Sequence, residues 1–111
     1  MTWVITVLSE ADAYLFASPI YNWGVPSQLK AWFDHVMLDR SLSGATPALA
    51  GRPGVLVMAK DGAYGPGTPR QGCDYAEPWL RRMFVDVMGL DRARRPHLPL
   101  YASPHGVWSR Y

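Results

Sequence analysis

The residues of this sequence that could do chemistry fall in loops that follow apolar runs. Residues 18–24 (SPIYNWG) put Tyr21, Asn22 and Trp23 side by side in a stretch of turn-forming residues. An amide both donates and accepts hydrogen bonds, so Asn22 between two aromatics suits a flat ligand with a polar edge. Residues 59–65 add Tyr64 in a second such loop, and residues 103–106 add His105 in a third. Of the three histidines, His35 borders an apolar helical stripe and reads as structural. His97 precedes a strand and is expected to face solvent, which leaves His105 as the histidine placed to reach a ligand. No spacing of His, Cys, Asp and Glu matches a metal site, and no serine has a matched base for acyl transfer. Cys73 has no basic neighbour nearer in sequence than Arg70, so nothing marks it as a stabilised thiolate.

These loops need elements to carry them. Residues 13–17 form a short apolar run without polar alternation, as expected of a parallel strand covered on both faces. From Pro26 the period changes: Leu29, Trp32, Phe33, Val36 and Met37 fall on one helical face, which predicts a helix over residues 26–40. Pro26 suits its first turn, where a missing N–H costs nothing. Residues 55–58 make a second strand, followed by a long Gly- and Pro-rich segment at 59–72; a loop of that length in a compact domain is usually functional or mobile. Leu80, Met83, Phe84, Val87 and Met88 predict a second helix over residues 75–88, with Gly89 as its terminator. Residues 97–102 make a third strand, which Pro99 pushes toward an edge. Residues 3–8 are a strand by propensity and could equally be the last turns of a helix with Val4, Val7 and Leu8 on one face. The SEAD sequence that follows is poor hairpin-turn chemistry and tips the reading toward the helix. Trp32, Phe33, Met37, Met83, Phe84 and Met88 are core by their spacing, and Lys30 with Asp34 is a surface pair.

The order strand–helix–strand–helix–strand points to an α/β domain with a parallel sheet, residues 1–111 forming one domain. All three post-strand loops then lie at the carboxyl edge of the sheet, where ligands bind in open α/β folds. A net charge of +2, with 18% of residues charged, excludes an obvious nucleic-acid surface. The one basic cluster, Arg92, Arg94 and Arg95, reads as a solvated turn. No apolar run reaches the roughly 20 residues of a membrane span. The amino end lacks the marks of a signal peptide, and a lone cysteine fits a reducing, cytoplasmic setting.

The segment Ser18-Pro19-Ile20-Tyr21-Asn22-Trp23, followed by Pro26-Ser27-Gln28-Leu29-Lys30-Ala31-Trp32-Phe33-Asp34, resembles the flavodoxin-like FMN-dependent NADH azoreductases and NAD(P)H:quinone oxidoreductases. Weaker resemblance extends over residues 11–101. It implies a flavodoxin-like parallel sheet in a three-layer α/β architecture, here incomplete, with about three strands and two to three helices. It implies FMN as cofactor and NAD(P)H as electron donor, with a quinone or azo compound as acceptor. Carried over position by position, Pro19, Ile20, Tyr21, Asn22 and Trp23 would contact the flavin, with backbone N–H groups near Trp23 facing its redox centre. The family's second flavin loop commonly reads Ser/Thr-Arg-Gly-Gly; here Lys60, Asp61, Gly62 and Ala63 stand there, and only Gly62 matches. A close backbone approach at Gly62 is what carries over from that loop. No general acid from the protein is indicated.

The resemblance starts beyond the family's phosphate-binding strand and loop and stops before its last helix. This predicts weakened FMN binding, a sheet with one bare face and an open first strand, and a chain that dimerises through them. The competing reading is a shortened, non-catalytic member of the fold that serves as a dimerising module without flavin. A third is that the working protein is longer.

Overall fold

The structure, a computed structural model, describes residues 2–60, 62–92, 100–102 and 108–110. Helix α1 (Thr2–Glu10) leads into strand β1 (Tyr14–Pro19), helix α2 (Ser27–Val36) and strand β2 (Pro53–Ala59). Helix α3 (Glu77–Arg81) continues as a π-helical segment, Arg82–Val87. Short strands β3 (Asp91–Arg92), β4 (Leu100–Ala102) and β5 (Trp108–Arg110) follow. The sheet runs β1-β2-β4-β5, with β3 pairing β2 lower down the strand. β1, β2 and β4 are parallel, in the registers Phe16↔Leu56 and Met58↔Tyr101, while β5 returns antiparallel beside β4. The expected α/β fold with a parallel sheet is present. β3 and β5 are additions that the apolar runs do not reveal.

The three expected helices are also present, with local differences. α2 stops at Val36 rather than residue 40, because Asp39 accepts from the Ser41 hydroxyl at 2.6 Å and its N–H at 2.9 Å. Those bonds start the 3-10 turn Arg40–Leu42 and hold the Asp39 carboxyl below its ordinary value. Pro26 is the residue before the helix, buried, with its carbonyl accepting from Lys30 N–H at 3.0 Å. α1 ends on carbonyls with no basic residue in its own last turn. Arg52 supplies one from across the fold, donating to the carbonyls of Ser9 at 2.7 Å and Ala11 at 3.0 Å. Gly89 ends the second helical stretch at φ 76°, and a side chain there would come within 3.2 Å of Ala50.

The core lies between the sheet and the helices. Phe33 is fully buried, its ring 5.1 Å from Trp32 and 5.2 Å from both Trp79 and Phe84. Phe16 of β1 stacks on Phe84 at 3.8 Å and meets Trp32 edge-on, so α2 and the π-helical segment cover one face of β1. Tyr14, two residues before Phe16 and on the same face, donates its hydroxyl to the Leu8 carbonyl and brings α1 to that side. Leu80, Phe84 and Met88 are all buried at intervals of four along the second helical stretch.

The other face of β1 lacks the cover that the apolar composition of residues 13–17 suits, and is the bare face expected above. Leu15 is 71% exposed and Ala17 is also exposed, while Tyr14 and Ser18 are buried. Leu15 and Ala17 pair with Val55 and Val57 of β2, so the bare side is an apolar one. β1 ends the strand order, which leaves it as the open edge.

Candidate functional site

Parallel pairing of β1 and β2 brings their two following loops to the same edge. The first opens with Ile20, whose N–H donates to the Ala59 carbonyl at 3.0 Å, and closes into a four-residue turn. Tyr21 and Gly24 exchange both backbone hydrogen bonds, at 3.1 and 3.0 Å, around Asn22 and Trp23. Both central residues have positive φ, 49° and 69°, the signs of a type I′ turn. Asn tolerates that region; Trp does so at a cost on the order of 1–2 kcal/mol. Strain of this kind persists only where the surroundings hold it, and it clusters at ligand sites.

The turn presents hydrogen-bonding groups outward. Among the described residues, the N–H groups of Asn22 and Trp23 and the Asn22 amide have no hydrogen-bond partner. Asn22 is exposed, Tyr21 is 60% exposed and Trp23 47%. Pro19 and Ile20 are half-buried, and Ile20 packs against the core, so these two reach the edge mainly through backbone.

The second loop leaves β2 at Lys60 and returns at Asp74. Its neck is a buried ionic cluster. The Lys60 ammonium, 5% exposed, bonds Asp74 and, at 2.8 Å, Glu77; Arg81 clasps Glu77 with two bonds of 2.9 and 2.8 Å. Asp74 also accepts from the N–H groups of Ala76 and Glu77, both at 2.9 Å, in the turn that leads into α3. Lys60 therefore faces inward, and the edge of this loop is formed by Gly62 at φ 97°, Tyr64 and Arg70. Tyr64 lies edge-on to Trp23 at 6.1 Å, and Tyr75 N–H donates to the Trp23 carbonyl at 3.0 Å.

The structure thus brings together Tyr21, Asn22, Trp23, Gly62 and Tyr64. His97 and His105, with the third loop, lie outside the described residues, as does Asp61. His35 is exposed on α2 and away from the apolar stripe. Cys73 is half-buried and free, its N–H bonded to the Arg70 carbonyl at 3.0 Å. No group of metal-binding side chains occurs among the described residues, and no described helix is long and apolar enough to cross a membrane. Sequence reasoning missed Arg70 and the Lys60 cluster. A signal existed for the latter in Asp74-x-x-Glu77 ahead of a helix, the spacing of a capping box.

A parallel α/β sheet with paired aromatic loops at its carboxyl edge is the arrangement of a nucleotide- or flavin-binding class of fold. The chain belongs to the flavodoxin-like fold family, whose model matches residues 4–101. Among its relatives is an FMN-dependent NADH:quinone oxidoreductase of Streptomyces coelicolor, 40% identical over 88 residues, covering 79% of this chain and 40% of that protein. An FMN-dependent NAD(P)H:quinone oxidoreductase 1 of Pseudomonas aeruginosa is 34% identical over 94 residues, covering 76% and 44%. Among solved structures, an FMN-dependent NADH-azoreductase from Bacillus anthracis in complex with FMN superposes with a TM-score of 0.76. That match is 19% identical and covers 97% of this chain and 51% of the other. The resemblance read from residues 18–34 is borne out. The chain spans about 40% of the length of these curated relatives.

Proposed function

We propose that this chain forms the flavin-edge portion of an FMN-dependent oxidoreductase that reduces quinones or azo compounds with NAD(P)H. The observation that carries the reading is the strained Asn22-Trp23 turn, whose N–H groups and Asn22 amide have no partner among the described residues and whose Trp23 ring lies edge-on to Tyr64 of the second loop. When bound, FMN would supply the two-electron redox chemistry between NAD(P)H and the acceptor. The chain's own residues bind and orient. Asn22, with a donor and an acceptor on one amide, fits the alternating N and C=O groups of a flavin pyrimidine edge. The N–H groups of the turn would offset negative charge that develops on the ring. Gly62, without a side chain, lets the second loop approach closely. Tyr21 and Trp23 supply apolar walls that keep water from the ring.

Purified protein supplied with FMN should take it up saturably in a fluorescence titration and oxidise NADH when menadione is added. A colourless protein that neither takes up FMN nor oxidises NADH with FMN supplied would overturn the proposal. A second reading is favoured by the exposed Leu15 face and the open edge of β1: a module that pairs with a second copy of itself. Homodimer formation is compatible with either reading, and flavin uptake separates them. As part of the same proposal the protein is placed in the cytoplasm, where the free Cys73 stays reduced.

A further inference from the structure

Trp23 is held in a left-handed conformation although the residue is 47% exposed, so core packing alone does not hold it. Its side-chain and carbonyl contacts come from the far side of the site. The Arg70 guanidinium carbon lies 5.5 Å from the centre of the Trp23 ring and 5.6 Å from that of Tyr64. Arg70 Nη1 donates to the Tyr64 hydroxyl at 3.4 Å. A Cβ placed on Gly62 would lie 3.0 Å from the same Nη1, so the guanidinium occupies the space that a side chain at 62 would need. Lys60 also approaches the Tyr64 ring, at 5.7 Å, but its ammonium is bonded to Asp74 and Glu77. Arg70 reaches both loops, Trp23 in the first and Tyr64 in the second.

We propose that Arg70 is a positioning residue of this site: it clasps the two loops by packing its guanidinium against Trp23 and Tyr64, and so fixes the turn that presents the Asn22 and Trp23 N–H groups. The proposal rests on the flavin-edge reading and deepens it. A planar, weakly hydrated guanidinium packs on aromatic rings and keeps its hydrogen bonds; an ammonium is a compact, strongly hydrated charge. Lysine at position 70 would retain the charge and lose the clasp. Gly62 is suited to its φ of 97°, and a Cβ there would press on the Arg70 guanidinium, which would have to shift by a few tenths of an ångström.

The test compares Arg70→Gln and Arg70→Lys with the parent chain by amide NMR without ligand and by riboflavin titration. Both variants should shift or broaden the Asn22 and Trp23 amide resonances while the α2 resonances and the Tm stay within a few degrees of the parent. Riboflavin affinity should fall about tenfold in both, the size of one partly desolvated cation–π contact. Unchanged Asn22 and Trp23 resonances in Arg70→Gln would overturn the proposal, as would full recovery of parent spectra in Arg70→Lys. If the parent chain binds no riboflavin, the flavin reading fails, while the ligand-free spectra still decide the clasp.

Discussion

Replacing Lys60 by methionine keeps the length of the side chain and removes its charge. In the folded chain this ammonium is 5% exposed, against Asp74 and Glu77 whose side chains are each 13% exposed. Among the described residues the cluster, with Arg81, holds two cations and two anions, so the substitution removes one of the two cations from a largely buried site. Removing one partner of a buried ion pair costs about 3–5 kcal/mol. Asp74 keeps its two N–H donors and Glu77 keeps Arg81, which puts the expected loss at the lower end, about 3 kcal/mol. For a chain of this size that is a fall in Tm of about 10–20 °C. Urea unfolding followed by tryptophan fluorescence measures it, and Lys30→Met is the control. Lys30 bonds Asp34 at 2.6 Å, but the pair is 48% and 62% exposed, so its loss should cost less than about 0.5 kcal/mol. Similar distances with different burial should therefore give very different losses. A Lys60→Met loss below about 1 kcal/mol, in the range of an exposed pair, would refute the reasoning.

Asn22→Ala should lower flavin affinity and leave the Tm nearly unchanged, because an exposed loop amide does little for the core; Phe33→Ala, fully buried among three aromatic rings, should cost about 3–5 kcal/mol in urea unfolding. Comparable stability losses in the two variants would contradict the placing of Asn22 at a ligand edge. FMN and riboflavin should bind the 111-residue chain with affinities within about tenfold of each other, since each charge-assisted bond to a phosphate would add roughly 1.5–3 kcal/mol in favour of FMN. A preference for FMN above a hundredfold in isothermal titration would show that a group within these residues holds the phosphate. Leu15→Lys, at a position 71% exposed on the bare sheet face, should reduce hydrophobic-dye binding and self-association in sedimentation while preserving the fold; a parent chain that is already monomeric and dye-silent would contradict the bare face.

Much of the scaffold was legible because its signals are local. The apolar stripe of α2 predicts burial of Phe33 and Val36, and both are fully buried. Gly89 marks a helix end that only a residue free of steric penalty at positive φ could make. What was not legible depends on partners distant in sequence. Against the family's loop pattern Lys60 is only a mismatch; its burial depends on Asp74 and Glu77, 14 and 17 residues on. The π-helical segment carries the same apolar spacing as an α-helix, because the i+4 interval of Leu80, Phe84 and Met88 serves both. The apolar composition of residues 13–17 suits a doubly covered strand, but Leu15 and Ala17 need a covering layer that the described residues do not supply. In the turn, Asn22 was half of a type I′ signal, and Trp23 at the position where glycine is usual concealed the other half.

The central claim is that the first two post-strand loops form one flavin-binding edge. It is tested most directly by recording amide NMR spectra of the labelled chain while riboflavin is added. The account predicts that saturable shifts concentrate on the backbone N–H groups of Asn22, Trp23 and Gly62 and on the Asn22 side-chain amide, with α1 and the exposed face of α2 silent. Shifts centred on Leu15, Val55 and Val57, or no saturable shift at the Asn22-Trp23 turn, would contradict it.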